Sequence, residues 1–156
     1  MSTTLTTVLD RSEIPYERLE HARTQAALAE AKALGISPEK VAKTIVVSTP
    51  DGFVRVAIPA SHRLDMHKLR AYLRGGHEIR LATEAELACA YPEFELGAVP
   101  PVGGSRRDPL ILDRRLARAG TLVVEDGAHD RSLRLWTADL LVLADAELGD
   151  VSVAAP

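Results

Sequence analysis

One lysine stands where a short predicted helix meets a strongly apolar predicted strand. The pair Ser37-Pro38 is typical of a helix start, and we predict that this helix ends at Lys43, before the β-branched residues 44–48. The ordinary explanation is that a cation stabilises the C-terminal end of a helix. The chemical explanation is a cation at the edge of a sheet that faces an anionic or carbonyl group. The residues alone leave both explanations open.

The second candidate for chemistry is the segment 97–104, here called the glycine-proline loop, whose composition excludes regular helix and central strand. Glycine lets the backbone approach a ligand closely, and proline stiffens a loop. Backbone N–H groups in such a loop can stabilise the oxyanion of a tetrahedral intermediate. Arg106 and Arg107 follow and are suited to grip phosphate. A tight turn between strands and a solvated surface turn are the ordinary alternatives.

The motifs that the sequence lacks exclude several common active sites. It contains neither the Gly-x-Ser-x-Gly elbow of serine hydrolases nor a GxxxxGK[ST] phosphate loop. His77 lacks a second histidine four residues on, and His62 and His67 are spaced so that they diverge on a helix. The single cysteine, Cys89, excludes an internal disulfide and a cysteine-based zinc site. We therefore expect no metal site.

Length and composition limit the class of protein. The 156 residues suit one domain, and 46% hydrophobic with 26% charged residues are typical of a globular chain with a core. The net charge of −3 excludes nucleic-acid binding by bulk positive charge, although not a local basic face. We find no signal peptide and no apolar run of the ~18 residues that span a bilayer. We therefore expect a cytoplasmic protein with no membrane partner.

The elements that must position these residues form a mixed order of helices and strands. A hairpin is predicted from the runs 44–48 and 53–58, which flank a Pro-Asp-Gly turn. The other predicted strands are 14–20, 79–81, 110–112, 121–125 and 133–136. The predicted helices are 2–11, 26–34, 65–73, one that begins at a capping box at Thr83, and 138–144. We predict that Thr24 and Thr137 cap helices, and that the tail 151–156 frays. The order indicates an α/β domain with a mixed, largely antiparallel sheet.

Two segments carry a resemblance to a known family. The residues 41–47, which include Lys43, resemble the lysine segment of the YbaK/ProX-type aminoacyl-tRNA deacylases. These include free-standing trans-editing proteins and the editing domain inserted in some prolyl-tRNA synthetases. Residues 97–101 match the family's Gly-x-x-x-Pro loop, and Gly103 follows as in many members. The pair Glu20-His21 and the segments 63–65 and 109–113 fall in the same order. The resemblance covers about residues 15–145, and we interpret 1–156 as a single editing domain.

The resemblance implies a fold and a reaction. The implied fold is a single α/β domain around a mixed, barrel-like sheet flanked by helices. The implied reaction is hydrolysis of the ester that joins a wrong amino acid to the tRNA 3′ adenosine, by water and without a metal or an organic cofactor. Lys43 is then expected to bind and orient the substrate. Gly97, Ala98 and Pro101 belong to the loop that offers backbone amides to the ester carbonyl. The implied partners are a mischarged tRNA and, as a second candidate, a synthetase.

The specificity of such an enzyme stays open at this point. The candidate substrate-binding residues are Thr44, His62, Val99, Gly103, Arg106 and His129. Residues 127–129 resemble a subgroup with Gly-x-His at this place. Leu19 replaces a tyrosine of many cysteine-specific members, and Glu125 and Ser132 stand where those members carry a serine and an aspartate. The alternative function is a catalytically silent module of the same fold that binds tRNA, a nucleotide or a synthetase.

Overall fold

The computed structural model of the chain describes residues 4–24 and 26–155, and a hairpin of two long strands lies at the centre of its sheet. Strands β2 (Val41–Thr49) and β3 (Gly52–Pro59) run antiparallel along almost their whole length. Gly52 has φ 121°, a backbone angle that favours glycine, so it can close the tight turn between them. The predicted hairpin is confirmed.

Eight strands form the main sheet around this hairpin. In chain order the other six are β1 (Tyr16–Glu20), β5 (Arg80–Leu81), β6 (Leu110–Asp113), β7 (Thr121–Glu125), β8 (Arg131–Trp136) and β9 (Glu147–Gly149). The pairing order is β1-β8-β7-β2-β3-β6-β9, and β5 pairs with β2. The pairs β2/β7, β3/β6 and β6/β9 are parallel, and the others are antiparallel. Strands β4 (His62–Leu64) and β10 (Ser152–Ala154) form a separate antiparallel pair. The predicted single α/β domain with a mixed sheet is confirmed.

Five helices cover the two faces of this sheet. They are α1 (Leu5–Arg11), α2 (Ala27–Leu34), α3 (Met66–Leu73), α4 (Glu84–Ala90) and α5 (Thr137–Ala144). Helices α1 and α5 share a core with Ala42 of β2, whereas α2 packs with the neighbouring Val41. Because adjacent residues of a strand point to opposite faces, α2 lies on the face opposite to α1 and α5. None of the helices among residues 4–24 and 26–155 has the length and apolar character of a membrane span.

Two predicted helix caps are wrong, although a third is confirmed. Thr83 forms the predicted capping box with Glu86 at the start of α4. The cap position of α2 is Ala26, whereas Thr24 donates its N–H to the carbonyl of His129 at 3.0 Å. Thr137 is the first residue of α5, and its hydroxyl donates to the carbonyl of Ala119 at 2.6 Å. Both threonines bond with distant segments, and such contacts override a local capping signal.

The prediction that a helix carries residues 41–43 is also wrong. A 3-10 turn spans only Pro38–Lys40, and the next residues begin β2. Val41 and Ala42 pair in parallel with Val123 and Val124 of β7, and this long-range pairing draws them into the sheet. Lys43 is therefore the third residue of a strand, so the explanation by the C-terminal end of a helix does not apply to it.

The C-terminal tail is ordered rather than frayed. Val151 and Ser152 are fully buried, and β10 pairs with β4. The buried carboxylate of Asp113 accepts hydrogen bonds from the Val151 N–H at 3.2 Å and from the Ser152 hydroxyl at 2.8 Å. The tail is short and weakly polar, so its own sequence does not reveal this anchor. Pro156 of the tail, and residues 2 and 3 of the predicted first helix, lie outside the described residues.

Replacing Asp113 by alanine is expected to lower the free energy of unfolding by about 3 kcal/mol, because the buried donors of Val151, Ser152 and Arg115 lose their acceptor. Ser152→Ala removes one of these bonds and is expected to cost about 1 kcal/mol. Urea unfolding followed by circular dichroism measures both changes. Equal losses in the two variants would contradict the role of Asp113 as the anchor of the tail.

Candidate functional site

The glycine-proline loop is held over the central hairpin by one buried arginine. Arg55 of β3 has a side chain that is only 1% exposed. Its guanidinium donates to the carbonyl oxygens of Pro100 at 2.9 Å, Gly103 at 2.8 Å and Arg106 at 3.3 Å. The planar fork of an arginine can satisfy several carbonyls at fixed positions. The loop is therefore a rigid feature, as its prolines suggest.

A buried carboxylate completes this anchor. Asp108 accepts from Arg55 Nε at 3.3 Å and from the Tyr91 hydroxyl at 2.5 Å. Burial, and then the hydrogen bond to Asp108, raise the pKa of Tyr91 to about 12, so this hydroxyl stays protonated and donates. Arg106 also reaches Asp108 at 3.3 Å, and its guanidinium lies 5.1 Å from the centre of the Phe53 ring. Arg106, a predicted substrate-binding residue, is therefore half-exposed, and Asp108 and the Phe53 ring contact its guanidinium.

Two backbone N–H groups in the first part of the loop donate no hydrogen bond to the described residues. The Ala98 N–H donates to the carbonyl of Glu95 at 3.0 Å, so it is already engaged. The N–H groups of Gly97 and Val99 find no acceptor among the described residues. Pro101 is buried and has no N–H to offer. Among the first five residues of the loop, the possible oxyanion donors are therefore Gly97 and Val99.

His129 lies directly against Gly97. Gly97 has φ 84°, and a Cβ atom at this position would lie 3.5 Å from His129 Cε1. His129 Nε2 is 2.6 Å from the carbonyl oxygen of Leu96. A carbonyl only accepts, so Nε2 carries a proton, and Nδ1 has no partner among the described residues. The structure thus brings together two of the residues that the sequence singled out.

Glu95 holds His129 in this place. Its carboxylate accepts the backbone N–H of His129 at 2.6 Å and a guanidinium N–H of Arg23 at 2.7 Å. These bonds, the one from His129 first, lower the pKa of Glu95. The segment before Gly97 and the turn before β8 are therefore tied to each other.

Lys43 is a partly buried cation for which the described part of the chain provides no acidic partner. The parallel pairing of β2 and β7 ends at Ala42 and Val124, and Lys43 directly follows this last pair. No carboxylate of the described residues lies within 4 Å of its ammonium. Burial lowers the pKa of Lys43. A desolvated ammonium of this kind favours an oxygen-rich ligand.

Lys43 and Thr44 face opposite sides of the sheet, because adjacent residues of a strand alternate. Val99 of the loop packs with Val46, which shares the Thr44 side. Thr44 Oγ1 is buried without a hydrogen-bond partner among the described residues. The loop therefore covers the Thr44 face, whereas Lys43 lies on the face of α2.

His62 is placed apart from these residues. On β4, its Nδ1 lies 3.1 Å from the hydroxyl of Ser61, and Glu39 is its nearby charge. No hydrogen bond among the described residues joins it to the loop or to Lys43. Its assignment to the substrate site stays a prediction.

A pair of buried carboxyl groups is the feature that the sequence reasoning missed. Glu30 of α2 is 1% exposed and accepts from the Ser132 hydroxyl at 2.9 Å, and His21 Nε2 lies 3.0 Å from the same hydroxyl. Burial, and then the neighbouring Glu30, raise the pKa of Glu125 to about 9. A signal was present, because Glu30 falls at helical spacing with the apolar Ala27, a stripe in which carboxylates are rare.

Two open cavities of the structure lie elsewhere. One of about 200 Å³ is lined by residues of β1 and β8, including Arg18 and Ser132. Another of about 340 Å³ lies at the end of α3, beside Arg70 and His77. Neither is lined by Lys43 or by the glycine-proline loop. Across residues 4–24 and 26–155, no three metal-ligating side chains gather.

The anchor of the loop can be tested with Arg55→Met. This change leaves the carboxylate of Asp108 buried without its main cationic partner, and is expected to lower the free energy of unfolding by about 3–5 kcal/mol. Tyr91→Phe removes one hydrogen bond to the same carboxylate and is expected to cost about 1–2 kcal/mol. Urea unfolding curves measure the change in the free energy of unfolding for both variants. A loss below that of Tyr91→Phe would show that Arg55 does not hold the loop.

Glu125 is expected to make stability fall as the pH rises. The unfolded chain releases this proton near the ordinary value of 4.5, whereas the folded chain keeps it up to about 9. The folded state therefore binds more protons in this window, and the free energy of unfolding decreases by roughly 1 kcal/mol per pH unit. Glu125→Gln should remove this slope, and the exposed Glu84→Gln should retain it. Urea unfolding at pH 6 and pH 8 measures the difference, and an unchanged slope in Glu125→Gln would refute it.

Comparisons with known proteins show what this chain is similar to. Residues 20–143 match the aminoacyl-tRNA editing domain family. A proline–tRNA ligase of Xanthomonas axonopodis pv. citri is 33% identical over 113 residues, which are 70% of this chain and 20% of that protein. A proline–tRNA ligase of Thermosipho africanus is 29% identical over 97 residues, 62% of this chain and 17% of that protein. The chain thus spans about a fifth of the length of these relatives.

A solved structure covers nearly the whole chain. The crystal structure of a candidate trans-editing enzyme for prolyl tRNA synthetase superimposes with a TM-score of 0.80 and 26% sequence identity. The match covers 89% of this chain and 87% of that one. On the profile match, the relatives and the shared fold together, this chain belongs to the aminoacyl-tRNA editing domain family.

Proposed function

We propose that this domain is a trans-editing aminoacyl-tRNA deacylase, which hydrolyses the ester between a wrongly attached amino acid and the 3′ adenosine of a tRNA. The observation that carries the proposal is the pair of unengaged N–H groups at Gly97 and Val99, on a loop that buried Arg55 holds rigid. Membership of the editing-domain family supports it, and so does the similarity to a candidate trans-editing enzyme.

The loop would act on the charge that develops during hydrolysis. Water attacks the ester carbonyl carbon, and the carbonyl oxygen becomes an oxyanion as the tetrahedral intermediate forms. The N–H groups of Gly97 and Val99 donate to this oxygen, and their fixed positions avoid the cost of reorganisation. The intermediate then collapses, the bond to the 3′ oxygen of the adenosine breaks, and that oxygen takes up the proton that the attacking water gives up.

His129 is suited to position the attacking water. Its Nε2 proton is held by the Leu96 carbonyl, so a neutral ring presents Nδ1 as an acceptor. A histidine with this polarity can accept a hydrogen bond from water beside Gly97. An ester of an amino acid is an activated substrate, so a protein nucleophile is not required.

The cations have separate tasks in this proposal. Lys43, which has no partner within the described residues, binds oxygen atoms of the aminoacyl-adenosine and orients the ester. Arg106 and the exposed Arg107 follow the loop and contact phosphate of the tRNA. Because the net charge is −3, we expect weak and salt-dependent tRNA binding. A synthetase is a second candidate partner that can supply further contacts to the tRNA.

A panel of mischarged tRNAs tests the activity. Alanyl-, cysteinyl-, seryl- and threonyl-tRNA are incubated with the full chain, and we expect at least one to be hydrolysed faster than in buffer. Gly97→Ala is expected to lower kcat/KM about 100-fold, because a side chain at φ 84° strains the loop and shifts an oxyanion donor. Lys43→Ala is expected to raise KM at least tenfold. The exposed Lys40→Ala is the matched control and should keep full activity.

The same panel separates the enzyme from a silent binding module. Hydrolysis that survives both Lys43→Ala and Gly97→Ala would remove these residues from the mechanism. Saturable, salt-sensitive tRNA binding without any hydrolysis would overturn the deacylase and support the module, in which Arg106→Ala and Arg107→Ala weaken binding.

A further inference from the structure

Two carboxyl groups lie side by side in the interior of this domain. The carboxyl pair consists of Glu30 on α2 and Glu125 at the end of β7, with side chains that are 1% and 7% exposed. Glu125 pairs with Ser132 across β7 and β8, and the Ser132 hydroxyl contacts Glu30, so both carboxyl groups lie beside the same residue. The Ser132 hydroxyl donates to Glu30 Oε1 at 2.9 Å, and this bond leaves Oε2 for the other partner.

The carboxyl pair lacks a cation. Glu30 Oε2 is fully buried and has no hydrogen-bond donor among the described residues other than a proton on Glu125. Within residues 4–24 and 26–155, no lysine, arginine or histidine nitrogen comes within 4 Å of either carboxyl group. Buried carboxylates are ordinarily paired with a positive charge. The missing partner is therefore a cation or its substitute, a proton.

The carboxyl pair also borders the candidate reaction site on two sides. Lys43 and Glu125 each follow directly on the last pair of β2 and β7, Ala42 and Val124. Glu95, which precedes Gly97 by two residues, is near enough for its charge to act on Glu125. The Thr24 N–H, just before α2, donates to the carbonyl of His129. A substrate held by the loop would thus extend toward the carboxyl pair.

We propose that the carboxyl pair is the subsite for the α-ammonium group of the aminoacyl ester, and that the ammonium replaces the proton shared by Glu30 and Glu125. The proposal rests on the deacylase function proposed above. An aminoacyl ester carries this cation on the carbon next to the ester carbonyl. An ester seated on Gly97 and Val99 therefore brings a positive charge to the place where the protein lacks one. The subsite recognises the amino acid through its invariant part, whatever the side chain.

The exchange is balanced in charge and protons. The free pair holds one proton between two carboxyl groups, and the substrate arrives as an ammonium. In the bound state both carboxylates are ionised around the ammonium, and one proton leaves for solvent. The other ionisable groups around Glu125 are Glu95 before the loop and, through Ser132, His21, while Lys43 follows the last β2–β7 pair.

Two non-hydrolysable probes test the subsite on the full chain. One is 3′-deoxy-3′-(L-alanylamino)adenosine, and the other is its lactyl counterpart, in which a hydroxyl replaces the ammonium. Isothermal titration calorimetry at pH 7 is expected to show the alanyl probe binding at least tenfold more tightly. Titrations in phosphate and in Tris buffer should reveal the release of about one proton with the alanyl probe and none with the lactyl probe.

Variants of the pair provide the second arm of the test. Glu30→Gln is expected to bring the affinity ratio of the two probes close to one, because only one carboxyl group of the pair remains and burial keeps this group, Glu125, protonated. Glu125→Gln keeps a hydrogen bond to Glu30 but has no proton to exchange, so proton release should vanish. The exposed Glu84→Gln is the matched control and should retain both the ratio and the proton release. If Glu30→Gln does not fold, the test is decided by the affinity ratio of the two probes and by the number of protons released, both measured on the unaltered chain.

The outcomes for the subsite and for the deacylase are distinct. Equal affinity for the two probes, or no binding of either at millimolar concentration, overturns the ammonium subsite even if the mischarged-tRNA panel shows hydrolysis. In that case the carboxyl pair only joins α2 to the sheet. A preference for the alanyl probe that disappears in Glu30→Gln supports the subsite, even if the panel shows no hydrolysis and the deacylase itself is rejected.

Discussion

The buried guanidinium of Arg55 is the interaction on which the candidate site depends. It lies in the middle of the central hairpin, yet its hydrogen bonds go to carbonyls of a loop about fifty residues further along the chain. A buried guanidinium requires a carboxylate partner, and Asp108, shortly after the same loop, supplies it. Loss of the ion pair is therefore expected to disrupt the carbonyl contacts as well. Through them a segment without helix or strand acquires the rigidity that an oxyanion site requires.

Strand β2 places candidate site residues on both faces of the sheet. Thr44 and Val46 face the loop, whereas Lys43 lies on the face of α2. Because the side chains of a strand alternate between its faces, the backbone of β2 separates the loop from Lys43, the cation that has no acidic partner among the described residues. The side of the sheet that carries Lys43 and the side that carries the loop meet at the end of β7, where Glu95 and His129 lie on the loop side. This edge of the sheet is where a substrate would contact all of them.

Several buried polar groups gather on this edge, next to a core of aliphatic side chains. Glu30, Glu125 and Ser132 are buried together under α2, and the core around Leu122 and Leu133 consists of aliphatic side chains. Such a cluster costs stability unless every group has a partner, since carboxyl groups in an apolar surrounding lose hydration. A chain that only had to fold would gain from leucine at position 30. The ammonium subsite proposed above would give this cluster a role in binding.

The sequence by itself determined the features whose cause lies within a few residues. The hairpin around Gly52, the capping box of Thr83 and the end of α2 at Gly35 follow from local backbone preferences, and the motifs around Lys43 and Gly97 indicated the family. The tertiary structure decided what depends on distant partners. Pairing with β7 made Lys43 part of a strand, Asp113 ordered the tail, and α2 carried Glu30 to Glu125. The physical reason is that a buried hydrogen bond or charge is satisfied by whichever residue the fold brings near, and sequence spacing carries no record of that choice.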